Sequence, residues 1–442
     1  MFFNDRQNSI DKIMEVYMET VKLGILGMGT VASGLVKIIE LNNSKISDSI
    51  GKKLCVEKVL VRNPNKKRNS GLPQNIYTTD AYEIINDPDI QIIVELIGGI
   101  DPAREHIKAA LKNKKHIVTA NKALIAACGG ELEELAAING AKLMYEASVA
   151  GGIPIINTIS ENLAANEFDQ ITGIVNGTTN YILTQMTENG LEYEQALKEA
   201  QRLGFAESDP SSDVEGDDAV YKIAILASIA FGQEIKIKDI PKEGITKISR
   251  EDINYARELD YRIKLLASAV KKGNEIEIGV HPTFIPAKHP LSTVKNEFNA
   301  VFLKGNAVGE LMFYGKGAGS LPTGSAILGD IISILKGGKT GCHKFKKIEK
   351  YKITYNAFKP YYIRFEVIDK PGVLGKIADA FGANGISLAS VMQRQKNGDN
   401  IAPLVFITHA AYRKNIDAAL KEINKFECVA KIADIIMVEN FE

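Results

Sequence analysis

The 442-residue chain has only four cysteines, no surplus of either charge and no long apolar run, and each shortage removes a class of protein. Cys55, Cys128, Cys342 and Cys428 stand far apart with no CxxC pair, so neither a disulfide framework nor a zinc site is suggested, and a reducing cytoplasm is the expected location. Lys plus Arg and Asp plus Glu number 54 each. A balanced chain recruits neither nucleic acid nor a membrane surface, which leaves small molecules as the expected partners. Asp5, Arg6, Asp11, Lys12 and Glu15 break up any signal-peptide core, and no other stretch is apolar for long enough to span a bilayer. Ile10, Ile13, Met14, Tyr17 and Met18 instead share one helical face, which predicts a short helical extension over residues 1–20.

What is present predicts α/β and α+β architecture. Strand-like runs at residues 21–27, 55–61, 90–96, 116–119 and 142–145 alternate with helical patterns, the rhythm of a parallel, doubly wound Rossmann-type sheet. A dinucleotide-binding domain is therefore expected over 21–145, completed by 306–335, with an α+β catalytic and dimerisation domain over 146–305. Residues 336–357 open with seven lysines in 336–352 and read as a solvated linker. Over 358–442 the pattern is βαββαβ, a ferredoxin-like module, with a turn at Asn397-Gly398.

Gly27-Met28-Gly29-Thr30-Val31-Ala32 follows the first strand and opens a helix, the setting that a dinucleotide fingerprint requires. Gly27 permits the tight turn, Gly29 lets backbone approach a pyrophosphate, and Ala32 stands at the helix–strand contact. After the second strand comes Arg62, with Lys66, Lys67 and Arg68 close by, where a reader of the NAD ribose would be acidic. That suits a 2′-phosphate and hence NADP; NAD, with these residues as plain loop cations, is the alternative. Lys122 follows the strand at 116–119, on the carboxyl edge where open sheets bind ligands. The glycines around Gly319 could also lie against a cofactor.

Residues 200–222 carry the densest chemistry. Asp209-Pro210 starts a turn; Ser211, Ser212 and Asp213 are natural N-caps for a helix running on through Ala219, Ile223 and Leu226; Asp218 and Lys222 lie one turn apart on it. An exposed pair of this kind is ordinary helix surface. Here Glu207, Asp213, Glu215, Asp217 and Asp218 crowd one lysine on an otherwise apolar helix, which predicts a buried ammonium tuned for proton transfer.

The same stretch resembles the signature of the homoserine dehydrogenases, whose spaced elements are matched by Ala200, Gly204-Phe205, Asp209-Pro210, Asp213, Gly216, Asp218 and Lys222. Tyr145-Glu146-Ala147-Ser148-Val149 with Gly151-Gly152-Ile153-Pro154, the run Asn176-Gly177-Thr178-Thr179-Asn180-Tyr181, and residues 315–323 resemble that family too, so the likeness covers nearly the whole chain. It implies NAD(P)-dependent, reversible reduction of L-aspartate 4-semialdehyde to L-homoserine by a homodimer or homotetramer. Lys222 would be the proton donor, Lys122 a second cation at the developing alkoxide and Asp218 the group that orients or tunes the lysine. Glu207 and Asp213 would hold the substrate. Gly27, Met28, Gly29, Thr30, Val31, Arg62, Lys122, Gly204 and Gly319 would line the cofactor. The resemblance also implies a sodium-like ion at Glu146, Val149, Gly151 and Ile153, since hard cations take carboxylate and backbone oxygens; a glycine loop with no ion is the alternative.

The C-terminal pattern resembles an ACT domain, an amino acid sensing module, with Asp369-Lys370-Pro371-Gly372-Val373-Leu374 at the usual place of its ligand loop. Threonine, as the pathway product, is the expected effector, and a module used only for assembly is the alternative. Two other readings compete. A phosphorylating aspartate-semialdehyde dehydrogenase needs a thiolate, which Cys55 in a strand and Cys128 in a helix do not suggest. An ACT-bearing sensor with a non-catalytic dehydrogenase fold would have no use for Lys122, Asp218 and Lys222 together.

Overall fold

The computed structural model describes residues 18–68, 70–337, 350–393 and 400–440. Residues 1–17 of the extension expected over 1–20, most of the lysine-rich connector, Cys342 and the Asn397-Gly398 turn lie outside the described residues, and Thr20 already belongs to a strand. The chain divides into two compact units, one of Met1–Ala165, Ser228–Ile235 and Gly315–Ile348, the other of Asn166–Ala227, Lys236–Tyr314 and Glu349–Glu442. Among the described residues no helix is long and apolar enough to cross a membrane.

In the first unit β1 (Thr20–Leu26), β2 (Lys53–Leu60), β3 (Tyr77–Thr78), β4 (Ile90–Glu95), β5 (His116–Thr119) and β6 (Leu143–Met144) form one sheet in the order β3-β2-β1-β4-β5-β6. Every adjacent pair is parallel. Leu23, Ile25, Ile92, Ile93 and Val94 are fully buried, as strands covered on both faces demand. The helix α1 (Thr30–Leu41) lies against the late helix Ser320–Leu335, whose Ile327, Leu328, Ile331 and Ile334 share a core with Leu23, Ile25, Leu35 and Val36. Their backbones touch: a methyl group on Gly324 would sit 2.7 Å from the Leu35 nitrogen, and one on Gly34 would overlap the Ser320 carbonyl. A second helix, α2 (Lys122–Ile138), follows β5 directly.

The second unit is built on a ten-stranded sheet. Its order is β11 (Gly309–Lys316), β10 (Phe298–Gly305), β7 (Phe168–Ile174), β8 (Tyr261–Lys272), β9 (Glu275–Pro286), β18 (Val429–Val438), β14 (Tyr361–Ile368), β16 (Ile401–Thr408) and β15 (Leu388–Gln393), with β12 (Lys352–Thr354) also on β9. Its helices include α3 (Gly177–Asn189), α4 (Tyr193–Arg202), α5 (Asp217–Phe231) and α6 (Arg250–Glu258). The last four strands of the order, with α7 (Val373–Ala383) and α8 (Arg413–Ile423), make the βαββαβ module, packed around Phe365, Ile377, Phe381, Phe406, Ile416 and Leu420.

The sequence pattern makes this module look separate, but the structure does not detach it. Met437 and Val438 of β18 pair in parallel with Thr283 and Phe284 of β9, so one sheet runs through both parts. Alternation within a strand reports which face is buried and says nothing about which edge it joins. Residues 352–354, expected within the linker, likewise pair with β9.

Candidate active site

In the first unit the turn after β1 is shaped for close approach. Gly27 has φ +105°, and a side chain there would meet the Leu96 carbonyl oxygen at 2.7 Å. Gly29 caps α1 without a side-chain hydrogen bond, and a methyl group on it would meet nothing within 4 Å. The helix N-terminus therefore opens onto clear space, the arrangement that receives a pyrophosphate. Gly29 and Thr30 are exposed, while Met28 and Val31 pack partly into the core beneath. Arg62, Lys66 and Lys67 are exposed beyond β2. Arg68 is committed to the loop itself, donating to the Lys66 and Asn63 carbonyls and lying 5.0 Å from the Tyr77 ring centroid.

The ends of β4 and β5 are tied by a buried carboxylate. Glu95 accepts from Thr119 Oγ1 and from the Ile97 nitrogen, both at 2.7 Å, and Asn121 Nδ2 donates to the Gly99 carbonyl at 2.6 Å. Asn121 also caps α2 through Leu124 N, which sets half-buried Lys122 at the helix start.

The segment expected to hold a cation uses its carboxylate differently. Both Glu146 oxygens accept main-chain N–H groups, from Ile156 and Asn157, each at 2.7 Å. Asp330, which sequence reasoning missed, accepts from Glu146 N at 2.9 Å and Asn157 Nδ2 at 3.2 Å. Burial, reinforced by the Glu146 charge, pushes Asp330 up to about 8. The Glu146 carboxylate is thus committed to shaping the turn. Among the described residues no cluster of three or more His, Cys, Asp or Glu side chains is poised for a metal.

In the second unit residues 200–222 fold around a buried ion pair. Lys222 Nζ donates to Asp218 Oδ2 at 2.7 Å and to the Val175 carbonyl at 2.6 Å, and both side chains are almost fully buried. Asn176 joins the carboxylates: its Nδ2 donates to Asp218 Oδ2 at 2.8 Å and to Asp213 Oδ1 at 2.7 Å. Its Oδ1 accepts from Thr179 N and so caps α3. Thr178 Oγ1 lies 3.1 Å from Asp213 Oδ2 and donates to the Phe205 carbonyl at 2.6 Å. Burial raises the Asp213 carboxyl, and the charge of Asp218 adds to this; the Asn176 and Thr178 hydrogen bonds oppose it.

Several expectations change. The helix does not start at Ser211 to Asp213: a four-residue turn, Ser211–Val214, ends before Gly216, and α5 begins at Asp217. Asp209 Oδ1 bonds Ser211 and stiffens that turn. Nor do five acids crowd Lys222, because Glu207 and Glu215 are exposed and Asp217 pairs with Lys242 at 2.5 Å. Gly204, at φ +78°, ends α4 in a Schellman motif, with Gly204 N on the Gln201 carbonyl and Phe205 N on that of Ala200. Gly319 caps the helix Ser320–Leu335. Asn176 was missed as a functional residue: an Asn before a helix announces a cap, but its two carboxylate partners are 37 and 42 positions away.

A dinucleotide turn on the carboxyl edge of a parallel sheet, together with a carboxylate-held buried lysine and a βαββαβ module, defines a nicotinamide-dependent oxidoreductase carrying an ACT domain. Family profiles agree: residues 27–146 match the homoserine dehydrogenase NAD binding domain, 154–332 match homoserine dehydrogenase, and 361–428 match the ACT domain. The homoserine dehydrogenase of Bacillus subtilis is 42% identical over 428 residues, covering 96% of this chain and 99% of that protein. The crystal structure of a homoserine dehydrogenase from Thiobacillus denitrificans superposes with a TM-score of 0.88 at 39% identity, over 96% of this chain and 99% of that one. A hyperthermophilic archaeal homoserine dehydrogenase mutant in complex with NADPH aligns at 29% identity and a TM-score of 0.62, over 73% and 99%. The chain belongs to the homoserine dehydrogenase family. Its reaction is the NAD(P)-dependent interconversion of L-aspartate 4-semialdehyde and L-homoserine.

The competing thiolate chemistry finds no support. Cys55 and Cys128 are free, and burial raises both thiols above their ordinary range.

Proposed function

We propose that Lys222 passes the proton to and from the reacting oxygen, with Asp218 holding its ammonium in place. The observation that carries this is the Lys222–Asp218–Asn176–Asp213 network, which places one buried lysine among two linked carboxylates and a main-chain carbonyl. A bound nicotinamide supplies or takes the hydride; the chain supplies position, charge and a proton. During reduction Lys222 gives its proton to the developing alkoxide. During oxidation it takes the hydroxyl proton, which requires that desolvation lower its affinity for that proton against the pull of Asp218. Lys122 is the second cation assigned to the alkoxide, and Glu207 and Asp213 are assigned to the substrate ammonium. Lys222→Ala should lower kcat by about 10²- to 10⁴-fold while nucleotide still binds. NADPH loss with the semialdehyde measures this, and a near-normal kcat would overturn the assignment.

The cofactor reading is NADP, on exposed Arg62 and its lysine neighbours, with the archaeal NADPH complex in support. Sodium at the carbonyls of residues 146–153, a homodimer or homotetramer, cytoplasmic location and threonine as effector complete the proposal. Calorimetry of the full chain with threonine, methionine, isoleucine and lysine tests the last of these; silence with all four would leave the ACT module as an assembly element.

A further inference from the structure

Lys264 of β8 is a second buried lysine of this unit and is not a member of the proposed proton-transfer network. Its Nζ donates to Asn180 Oδ1 at 2.9 Å and to the Val294 carbonyl at 2.5 Å, and among the described residues it takes no carboxylate partner. Buried charges are ordinarily paired. Lys264 forms one wall of a cavity of about 170 Å³ that Arg262, Thr184, Glu188, Ser292 and Lys295 also line. Arg262 and Lys264 lie two apart on one strand and so on the same face. Arg262 commits one nitrogen to the Tyr261 carbonyl at 2.8 Å, and among the described residues the rest of its fork is left for a planar or tetrahedral anion. The only acid in the lining, Glu188, already pairs with Lys295 at 3.1 Å. Three cations thus meet one carboxylate, and the buried one donates its hydrogen bonds to neutral oxygens.

We propose that this cavity binds a small tetrahedral oxyanion of the sulfate and phosphate class, held by Lys264, Arg262 and Lys295. The volume excludes a nucleotide, since pockets for ligands of that size start near about 300 Å³. The electrostatics agree with the geometry. Burial draws Lys264 down to about 7, Glu188 opposes this, and Lys295 and Arg262 lower it further. An anion would reverse that balance by favouring the ammonium. Binding is therefore strongest below neutral pH and weakens as Lys264 loses its proton. The site also touches the start of α3, because Asn180 donates to the carbonyls of Asn296 and Phe298 at 2.8 and 3.1 Å and holds the chain there against the helix that Asn176 caps.

Sulfate, ionised throughout the useful range, is the probe, titrated calorimetrically into the full chain at constant ionic strength. Saturable binding should weaken by about tenfold between about pH 6 and about pH 8.5. It should weaken by about tenfold or more in Arg262→Met, a change in a half-buried side chain that leaves Lys264 in place, and again in Lys264→Met. It should persist in Arg62→Ala, which separates this site from the nucleotide turn. No saturable heat, indifference to pH, or loss with Arg62→Ala but not with Arg262→Met would each overturn the proposal.

Discussion

Two buried ionic clusters in the second unit are made of similar parts and differ in what their cation can release. At one, Lys222 is held by Asp218 and a carbonyl, with Asn176 bridging to Asp213. At the other, Arg364 of β14 donates to Asp252 Oδ1 at 2.7 Å and Oδ2 at 3.1 Å, to Glu251 at 2.7 Å and to Ser249 Oγ at 3.0 Å. Tyr362 adds a hydrogen bond to Asp252 at 2.8 Å and stacks on Phe284. Asp252 belongs to the capping box of α6, so this cluster fastens the ACT module to a helix of the catalytic sheet. A guanidinium does not give up a proton at any working pH, whereas an ammonium can. Burial and carboxylate company are common to both clusters; on the proposed role of Lys222, the identity of the cation is what separates chemistry from scaffold.

Making the first cluster resemble the second tests the difference most severely. Lys222→Arg keeps a positive charge near Asp218 but withholds the proton, so kcat should fall about as far as with alanine, by about 10²-fold or more. Retention of a tenth or more of the wild-type kcat in the NADPH assay would show that charge alone suffices.

The second cluster should answer in stability. Arg364→Met leaves Asp252 buried without its main partner, which costs about 3–5 kcal/mol in such pairs. Adding Asp252→Leu should recover much of that loss, because a packed apolar pair avoids the desolvation that the ion pair must overcome. Denaturant midpoints of the two variants decide the matter; a double variant no more stable than the single one would mean that the ions are needed for packing itself. The same cluster, with the β9–β18 pairing, explains why the ACT module should not be removed to test regulation: the cut would strand Asp252 and open the edge of β9.

How far the sequence reveals such differences depends on the range of the interaction. The parallel sheet, the glycine turn and the βαββαβ order were legible because each rests on local periodicity or on backbone needs within a few residues. Asp218 and Lys222 were legible as a pair for the same reason, being one helical turn apart. Asn176 reaching Asp213, Asp330 reaching the 146–157 turn, Arg364 reaching Asp252 and β18 joining β9 span 37 to 184 positions. Nothing local marks them. The expected start of α5 failed for a different reason: Ser211 to Asp213 are good caps, but Asp209 takes up the first of them in a turn of its own.

Arg62 is the opposite case, an exposed arginine with no carboxylate partner among the described residues. If it reads a 2′-phosphate, Arg62→Ala should raise KM for NADPH by about tenfold and leave that for NADH nearly unchanged. Equal losses with both cofactors would make it a loop cation.

The smallest effect concerns Asp434, opposite Arg364 in the β14–β18 register. Its Oδ1 accepts from Ile435 N at 2.8 Å, while Oδ2 is buried without a hydrogen-bond partner. Burial, and then the charge of Asp252, push its carboxyl up to about 8. Arg364 and the Ile435 N–H oppose that shift, and Glu243 adds to it. Asp252 therefore carries the charge that Arg364 needs and Asp434 keeps its proton. The unfolded chain releases that proton near about pH 4, so between about 4 and about 8 the folded state binds one proton more than the unfolded state. Stability must then fall as pH rises through this window, and the loss is greatest at its upper end. Asp434→Asn, neutral at every pH, should shrink the drop in unfolding free energy between about pH 5 and about pH 8 by about 1 kcal/mol or more. Urea unfolding of both proteins at the two pH values measures this, and an unchanged drop would mean that Asp434 is already ionised at neutral pH, paired with Arg364 as a third member of the latch.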